Sequence, residues 1–190
     1  MKSILTDCIR ADGEYRHLLD TLTRQRSSRQ PLPVIAAGLC DGATDALTVS
    51  LLTDIAGRGW GCALIVCAEE KECVRTVSLL KDFGRSAVYF PARDLTLYNV
   101  TASHEFEYER LMVLSGILVG AYDAVVTTPD AALGYTIPPA RLKQEMISLY
   151  ADDIVNVDSI CNRLASAGFA RVELTEGAGQ FARRGGIIDI

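Results

Sequence analysis

Residues Pro33–Gly57 read PVIAAGLCDGATDALTVSLLTDIAG, and this stretch decides how the first part of the chain is interpreted. An apolar run over Val34–Gly38 leads into a turn of small residues, and a second apolar run over Ala43–Ala56 leads out of it. We interpret the first run as a buried strand and the second as a helix. A strand, a glycine-containing turn and a helix in this order are typical of a nucleotide-binding P-loop.

A P-loop binds phosphate with backbone N–H groups, a lysine on the outer phosphate oxygens, and a Ser or Thr that holds magnesium. Its pattern is G-x-x-x-x-G-K-[ST]. The frame that ends at Thr44 keeps Gly42 but has Ala43 where the lysine belongs. Asp41 adds a negative charge where phosphates would have to sit, and like charges in close quarters repel. We therefore predict a degenerate loop that does not bind nucleotide, formed by Gly38, Asp41, Gly42, Ala43 and Thr44.

The alternation of strands and helices continues to Tyr135. Strands are predicted at Ala63–Ala68, Ala87–Phe90 and Asp123–Thr127, and helices at Glu14–Gln25, Glu70–Phe83 and His104–Gly120. The strands are mostly apolar and lack the alternation of a half-solvated sheet, which indicates a parallel sheet with helices on both faces. Residues 1–137 are therefore predicted to form one α/β domain.

After Tyr135 the pattern changes. Pro138 and Pro139 block helix continuation and mark a connector. The elements predicted beyond it are a strand over 145–155, a helix with Asn156 as N-cap and Gly168 as C′ residue, and strands over 170–177 and 180–190. Residues 138–190 thus predict a small α+β domain that leans on the first. Because the chain stops at Ile190 within an apolar strand, we expect it to be a piece of something longer.

Charge and composition exclude several classes of function. The net charge is −5, with 13 basic and 17 acidic residues up to position 137 and 6 and 7 beyond it, and no lysine or arginine run occurs. Nucleic-acid binding depends on neutralising phosphates, so by count neither half predicts a DNA-binding protein. No apolar run approaches a membrane span and no leader is recognisable, so we expect a cytoplasmic protein without membrane contact.

The six cysteines do not form a metal-binding pattern. No C-x-x-C pair occurs, and the two histidines, His17 and His104, are far apart in the sequence. Cys62 and Cys67 fall on opposite faces of one predicted strand, so they are not expected to share a metal or a disulfide. We interpret the cysteines as small core residues in a reducing compartment and predict no metal site.

Three stretches carry more specific motifs. They are FPARDLTLYNVTASHEFEYERLMVLSGIL at Phe90–Leu118, YDAVVTTPDAALGYTIPP at Tyr122–Pro139, and GQFARRGGIIDI at Gly179–Ile190. All three resemble segments of the bacterial transcription-repair coupling factors (Mfd). The last is similar to that family's G-E-[FY]-x-x-R-G-G-[IL]-[IL]-D-[IL], with Gln180 in place of the glutamate, and the helicase UvrB carries a related version.

The resemblance implies the UvrB-like amino-terminal module of that family. This module has a RecA-like domain, similar to UvrB domain 1a, that has lost its P-loop signature, followed by a small domain similar to UvrB domain 2. UvrB keeps a G-x-G-K-T loop, so Ala43 favours the coupling factor over UvrB. The RNA-polymerase-binding domain and the ATP-dependent DNA translocase of the family, with their ATP and Mg, lie outside this chain. We therefore expect neither a catalytic residue nor a cofactor here.

The resemblance also implies a partner, the damage-recognition ATPase UvrA, which docks on the small second domain. Arg184 matches the arginine of the family's R-G-G motif and is the predicted contact, together with Arg183 and Phe181. Strand alternation puts Phe181 and Arg183 on one side and Arg184 on the other. In the intact factor the carboxy-terminal domain masks this surface. We interpret Arg110 as a structural brace between its helix and the preceding loop, with Asp94 or Glu107 as its partner.

Two alternatives stay open. In the first alternative, the chain is the nucleotide-binding domain of a UvrB-type ATPase or helicase. Its irregular loop would then take its cation from elsewhere, for instance from Lys71. The third interpretation is a DNA-tracking domain, which the charge disfavours unless a local basic patch exists.

Overall fold

The computed structural model describes residues 4–92 and 105–190 of the protein. The helices are α1 (Ile4–Ala11), α2 (Gly13–Arg26), α3 (Asp41–Gly57), α4 (Glu70–Asp82), α5 (Glu105–Leu118), α6 (Pro129–Leu133), α7 (Pro139–Glu145) and α8 (Val157–Ser166). The strands are β1 (Ala63–Val66), β2 (Ala87–Phe90), β3 (Ala124–Thr127), β4 (Ala170–Arg171), β5 (Gln180–Arg184) and β6 (Ile187–Asp189). Within these ranges no helix is long and apolar enough to cross a membrane.

The first sheet is parallel and has the order β1-β3-β2. Ala63 and Ala87 both pair with Ala124, so the three strands begin level with one another. All four residues of β3 are buried, because this strand has a neighbour on each edge and helices on each face. The predicted parallel sheet flanked by helices is confirmed.

Two separate cores lie on the two faces of this sheet. Side chains of α3 and α4, among them Val49 and Leu80, pack against Val126 on one face. On the other face Val113 of α5 packs against Val125. Among the described residues, the helical cover of the α5 face does not reach the edge strand β1. Leu64 and Val66 of this strand are exposed there.

The predicted strand over Val34–Gly38 is wrong. Residues 31–40 have no helix or strand, and Ile35 is 84% exposed. An extended segment becomes a strand only by pairing its backbone, and no described strand pairs with this one. Pro31 and Pro33 also remove two of the N–H donors that pairing would use. The helix that follows begins at Asp41, two residues earlier than predicted.

The predicted helix at the N-terminus is confirmed as α2, and α1 precedes it without having been predicted. The two helices are tied to α3 by one carboxylate. Asp54 accepts a hydrogen bond from the Tyr15 hydroxyl and from the Arg10 guanidinium, the latter at 2.7 Å. Asp12 caps α2 by accepting from the N–H groups of Glu14 and Tyr15.

The second sheet has the order β4-β5-β6, with β4 parallel and β6 antiparallel to β5. Helix α8 covers one of its faces, and Phe181, which is 1% exposed, packs there against Ile160 and Leu164. Asn156 caps α8 by accepting from the Ser159 N–H, as predicted. The α/β class with a small second α+β part is therefore confirmed.

Three predictions for this part are wrong in detail. The final strand is a hairpin, because Gly185 at φ +63° and Gly186 reverse the chain between β5 and β6. Residues 146–156 form no strand, and Pro139 opens α7 rather than ending a helix, since proline fits the first helical turn. The predicted strand over 170–177 shortens to two residues of β4.

The two parts touch each other in the described structure. Helix α5 contacts α7, and the Tyr108 side chain lies directly over the backbone of Gly179, just before β5. The division at residue 137 falls between α6 and α7 and stays a prediction. The predicted helix over His104–Gly120 is confirmed as α5, except that His104 lies outside the described residues.

Gly179→Ala is expected to lower the free energy of unfolding by at least about 1 kcal/mol, because Gly179 has φ +78° and its new methyl group would meet the Tyr108 hydroxyl. Gly177→Ala in the same loop is the matched control, since Gly177 has open space around it and no positive φ. Thermal unfolding of both variants measures the effect. Equal melting temperatures would contradict the contact.

Candidate functional site

The glycine loop opens directly into a helix. The N–H groups of Ala43 and Thr44 donate to the Cys40 carbonyl at 2.9 and 3.0 Å, and the Thr44 hydroxyl donates to the same oxygen at 3.3 Å. In a P-loop these are groups that would face phosphate and magnesium. Gly38 adopts φ +79° in the exposed segment before the helix. Two of the amides and the hydroxyl that a bound nucleotide would need are therefore used within the first turn of α3.

The arginine that contacts the beginning of α3 is paired with a carboxylate of that helix. Arg75 of α4 donates two hydrogen bonds to the Asp45 carboxylate of α3, at 2.7 and 2.9 Å. This bidentate geometry is the strong form of an arginine–carboxylate pair. Lys71, the alternative cation source considered from the sequence, is exposed at the start of α4.

The carboxyl end of the parallel sheet is acidic. Ligands of open α/β sheets bind outside this end of the strands. Here β1 is followed by Glu69, Glu70 and Glu72, which surround Lys71 in sequence. Glu72 accepts a hydrogen bond from the Ala68 N–H at 3.2 Å. Such an edge repels the phosphates of a nucleotide more than it attracts them.

The pKa of Tyr89 is affected by the negative charge at this end of the sheet. Its pKa is raised to about 12, first by burial and then by the negative charges of Glu70, Cys73 and Glu109. Negative charge raises the pKa of a phenol because it opposes formation of the phenolate. The residues that approach Tyr89 come from both α4 and α5, so the acidic field covers this end of the sheet.

Tyr89→Phe is expected to reduce the loss of stability at alkaline pH. The unfolded chain releases the Tyr89 proton near pH 10.0, whereas the folded protein holds it to about pH 12. As pH rises through this window the unfolded state binds fewer protons, so the free energy of unfolding falls. Phenylalanine keeps the ring and removes the proton, so the melting temperature of the variant should fall less steeply. Tyr135→Phe, at an exposed tyrosine, is the control, and equal slopes for all three proteins would contradict the prediction.

An apolar cleft of about 290 Å³ lies on the α5 side of the sheet. It is lined by Leu64, Phe90, Leu114 and Ile117, with Cys62 at one side. No charged side chain is among the described residues that line it. Among the described residues the cleft therefore offers no charged group that would neutralise a phosphate. In residues 4–92 and 105–190 no cluster of His, Cys, Asp and Glu has the arrangement of a metal site.

The hairpin of β5 and β6 presents the predicted partner-binding residues on two faces. Phe181 points into the core below α8. Arg183 lies on the same face, where it forms an ion pair with Asp158 of α8 and donates to the Gly185 carbonyl at 3.1 Å. Both side chains are thus engaged within the protein. The alternation predicted from the sequence is confirmed.

Arg184 lies on the other face, which is covered at Ala182 but exposed at Arg184 itself. Its guanidinium donates to Asp189 of β6 at 2.6 Å, while the side chain remains 66% exposed. Ile187, its direct neighbour across the hairpin, is 63% exposed. An exposed arginine beside an exposed aliphatic side chain on a rigid strand pair is an arrangement suited to a protein contact.

A second exposed apolar segment precedes α8. Leu149, Tyr150, Ile154 and Val155 are all exposed around a turn in which Asp152 has φ +71°. Interpretation of the sequence placed these residues in a strand and did not identify them as surface. Their only signal in the sequence is an apolar run broken by two adjacent aspartates.

Arg110 has the predicted bracing role. It is buried in α5, its guanidinium lies 4.0 Å from the centre of the Phe90 ring, and it donates to the Pro91 carbonyl. It therefore links α5 to the end of β2. Asp94, one partner suggested by the sequence, lies outside the described residues.

The interpretation of the cysteines is half right. Cys67, Cys73 and Cys161 are buried, whereas Cys8, Cys40 and Cys62 are exposed, so the latter three are not core residues. The opposite orientation of Cys62 and Cys67 is confirmed by their burial. Cysteine is among the residue types most often buried, but this tendency does not determine the burial of an individual residue at a helix surface or a turn.

Comparison with known proteins gives consistent relatives. The chain is 32% identical over 115 residues to the transcription-repair-coupling factor of Bacillus subtilis (strain 168). This match covers 60% of the chain and 10% of that protein. It is 26% identical over 114 residues to that of Staphylococcus haemolyticus, covering 59% and 10%, and 24% identical over 102 residues to that of Staphylococcus aureus (strain USA300), covering 53% and 9%. No family model matches the chain.

The fold and its sites define an α/β protein whose helix-covered parallel sheet is followed by a small mixed sheet with an exposed hairpin end. The chain is homologous to a segment of the transcription-repair coupling factors, which confirms the resemblance carried by its motifs. It spans about a tenth of the length of these curated relatives.

Proposed function

We propose that this chain is a non-catalytic adaptor segment of a transcription-repair coupling factor, and that it recruits the damage-recognition ATPase UvrA through the hairpin of β5 and β6. The observation that carries the proposal is the position of Arg184. It occupies the family's R-G-G motif, and it is the one arginine of the β5 pair that faces outward.

The surroundings of Arg184 support a contact with a carboxylate of a partner. Its present partner, Asp189, is on the surface, and an exposed ion pair of this kind contributes only about 0–1 kcal/mol to folding. A competing carboxylate can therefore replace Asp189 at little cost. Ile187 next to it supplies apolar area, as the buried centre of an interface requires. Arg183 and Phe181 support the contact indirectly, because they hold the hairpin against α8.

The first sheet supports the non-catalytic part of the proposal. Alanine replaces the P-loop lysine, two amides of the first turn of α3 are used within the helix, and Arg75 is paired with Asp45. Together with the acidic carboxyl end of the sheet, these features disfavour the alternative of a UvrB-type nucleotide-binding domain. In the proposed parent protein ATP, Mg, RNA polymerase and the DNA along which the translocase moves would engage other domains, and the carboxy-terminal domain would mask the UvrA surface.

Arg184→Glu is expected to weaken UvrA binding by at least tenfold, because it reverses the charge at the proposed contact. Titration calorimetry of purified UvrA into each protein measures the affinity. Arg141→Glu, on the exposed surface of α7, is the matched charge reversal and should leave binding unchanged. Equal weakening by both variants would mean that net charge, and not the hairpin, governs the association.

Asp189→Asn separates a partner contact from an internal role of Arg184. This variant removes the acceptor charge of the ion pair but keeps Arg184 and the shape of the hairpin. If Arg184 contacts UvrA, the affinity should be unchanged or higher, since the guanidinium no longer has to leave a carboxylate. A loss equal to that of Arg184→Glu would contradict the proposal and assign Arg184 to hairpin stability.

A calorimetric titration with Mg-ATP tests the non-catalytic part. We expect no heat of binding from the chain, because its loop lacks the lysine and two of its amides are engaged. Saturable heat that is lost in a Thr44→Ala variant would overturn this part of the proposal and favour the nucleotide-binding alternative.

A further inference from the structure

Two arginines from separate parts of the chain converge on its single tryptophan. The guanidinium carbon of Arg26, the last residue of α2, lies 5.1 Å from the centre of the Trp60 ring. That of Arg58, which follows α3, lies 5.8 Å from the same ring. Both distances allow cation–π attraction. Trp60 is half-buried and both arginines are exposed, so two cations are held beside a fixed ring at the surface.

Two glycines and a backbone hydrogen bond shape the turn that presents Trp60. Gly59 and Gly61, on either side of Trp60, have φ +66° and φ +92°, which other residues adopt at a cost. The Trp60 N–H donates to the Ile55 carbonyl at 3.2 Å and closes the end of α3. The ring therefore sits at the amino end of β1, opposite the acidic end of the sheet.

The sequence on both sides of this contact is basic. Residues 21–40 and 55–68 contain four arginines and no acidic residue. Two of these arginines, Arg26 and Arg58, lie beside the ring, and we call them, with Trp60, the arginine cluster. The nearest acids in sequence are Asp20, one helical turn before Arg24, and Asp54, which is bonded to Arg10 and Tyr15.

The arginine cluster differs from the other arginines whose contacts are described. Arg10, Arg75, Arg183 and Arg184 each pair with an aspartate. Within the described residues, no ion pair involves an arginine of the cluster. A basic side chain at a helix C-terminus is favoured by the helix dipole, which accounts for Arg24 and Arg26. The dipole does not account for two guanidinium groups on one ring, where their charges repel each other.

We propose that the arginine cluster binds the phosphate backbone of a nucleic acid. Guanidinium groups recognise phosphate oxygens through paired N–H donors, and two of them on one ring can contact neighbouring phosphates of one nucleic-acid strand. Because guanidinium groups already lie over the indole ring, the ring is not free to stack on a base. The contact therefore depends on the phosphate charge and not on the base sequence. The net charge of −5 opposes the association, so binding is weak and strongly salt-dependent.

The single tryptophan makes this surface directly observable. The full chain is titrated at low salt with a short DNA duplex, and in a second arm with the matching single strand, while Trp60 fluorescence is recorded. We expect a saturable change in fluorescence whose midpoint moves to higher DNA concentration as salt is added. Anisotropy of a labelled oligonucleotide provides a readout that does not depend on the ring.

Arg26→Gln and Arg58→Gln should each weaken binding several-fold. Each should also reduce the slope of log binding constant against log salt concentration by about the value of one phosphate contact. Arg141→Gln, on α7, removes the same charge from another surface and should have no such effect. The proposal is overturned if no oligonucleotide binds at low salt, or if Arg141→Gln weakens binding as much as the cluster variants. It is equally overturned if polyglutamate of matched charge competes as well as DNA, because the site would then accept any polyanion.

Discussion

Burial of β3 is the constraint on which the first part of the structure depends. Its four residues have almost no contact with solvent, and its backbone pairs with β1 on one edge and β2 on the other. A strand in this position must be apolar on both faces, as AVVT is, and must have a helix on each side. Helices α4 and α5 meet that requirement, and the connections between strands then place all carboxyl ends at one edge.

This arrangement separates charge along the strand direction. The carboxyl edge holds the glutamates that precede and open α4, and the amino edge holds Arg26 and Arg58 around Trp60. The edge where an α/β sheet would bind a nucleotide is thus the edge least suited to phosphate. The positive edge lies on the opposite side, where a ligand would meet helix C-termini. The net charge of −5 does not reveal this polarity, because a sum over the chain carries no information about position.

The small sheet also depends on packing against a helix. Phe181 anchors β5 beneath α8, and Arg183 secures it with an ion pair to Asp158. The helix closes one face, and on the other face Ala182 is buried, so only the end of the hairpin is accessible to a partner. Arg184 and Ile187 occupy that end. The hairpin is therefore rigid enough to present a contact, yet its outward residues contribute little to its own stability.

The sequence by itself determined the elements whose signals are local. The strands at β2 and β3, the extents of α2, α4 and α8, the cap at Asn156 and the alternation of Phe181, Arg183 and Arg184 follow from periodicity and capping chemistry. Tertiary structure decided whatever depends on a neighbour. The segment Val34–Gly38 has the composition of a strand, but a strand needs a paired backbone that this one lacks. Likewise, only packing brought Arg26 and Arg58 to the same ring and Arg75 to Asp45, since these pairs are far apart in the chain and no local pattern links them.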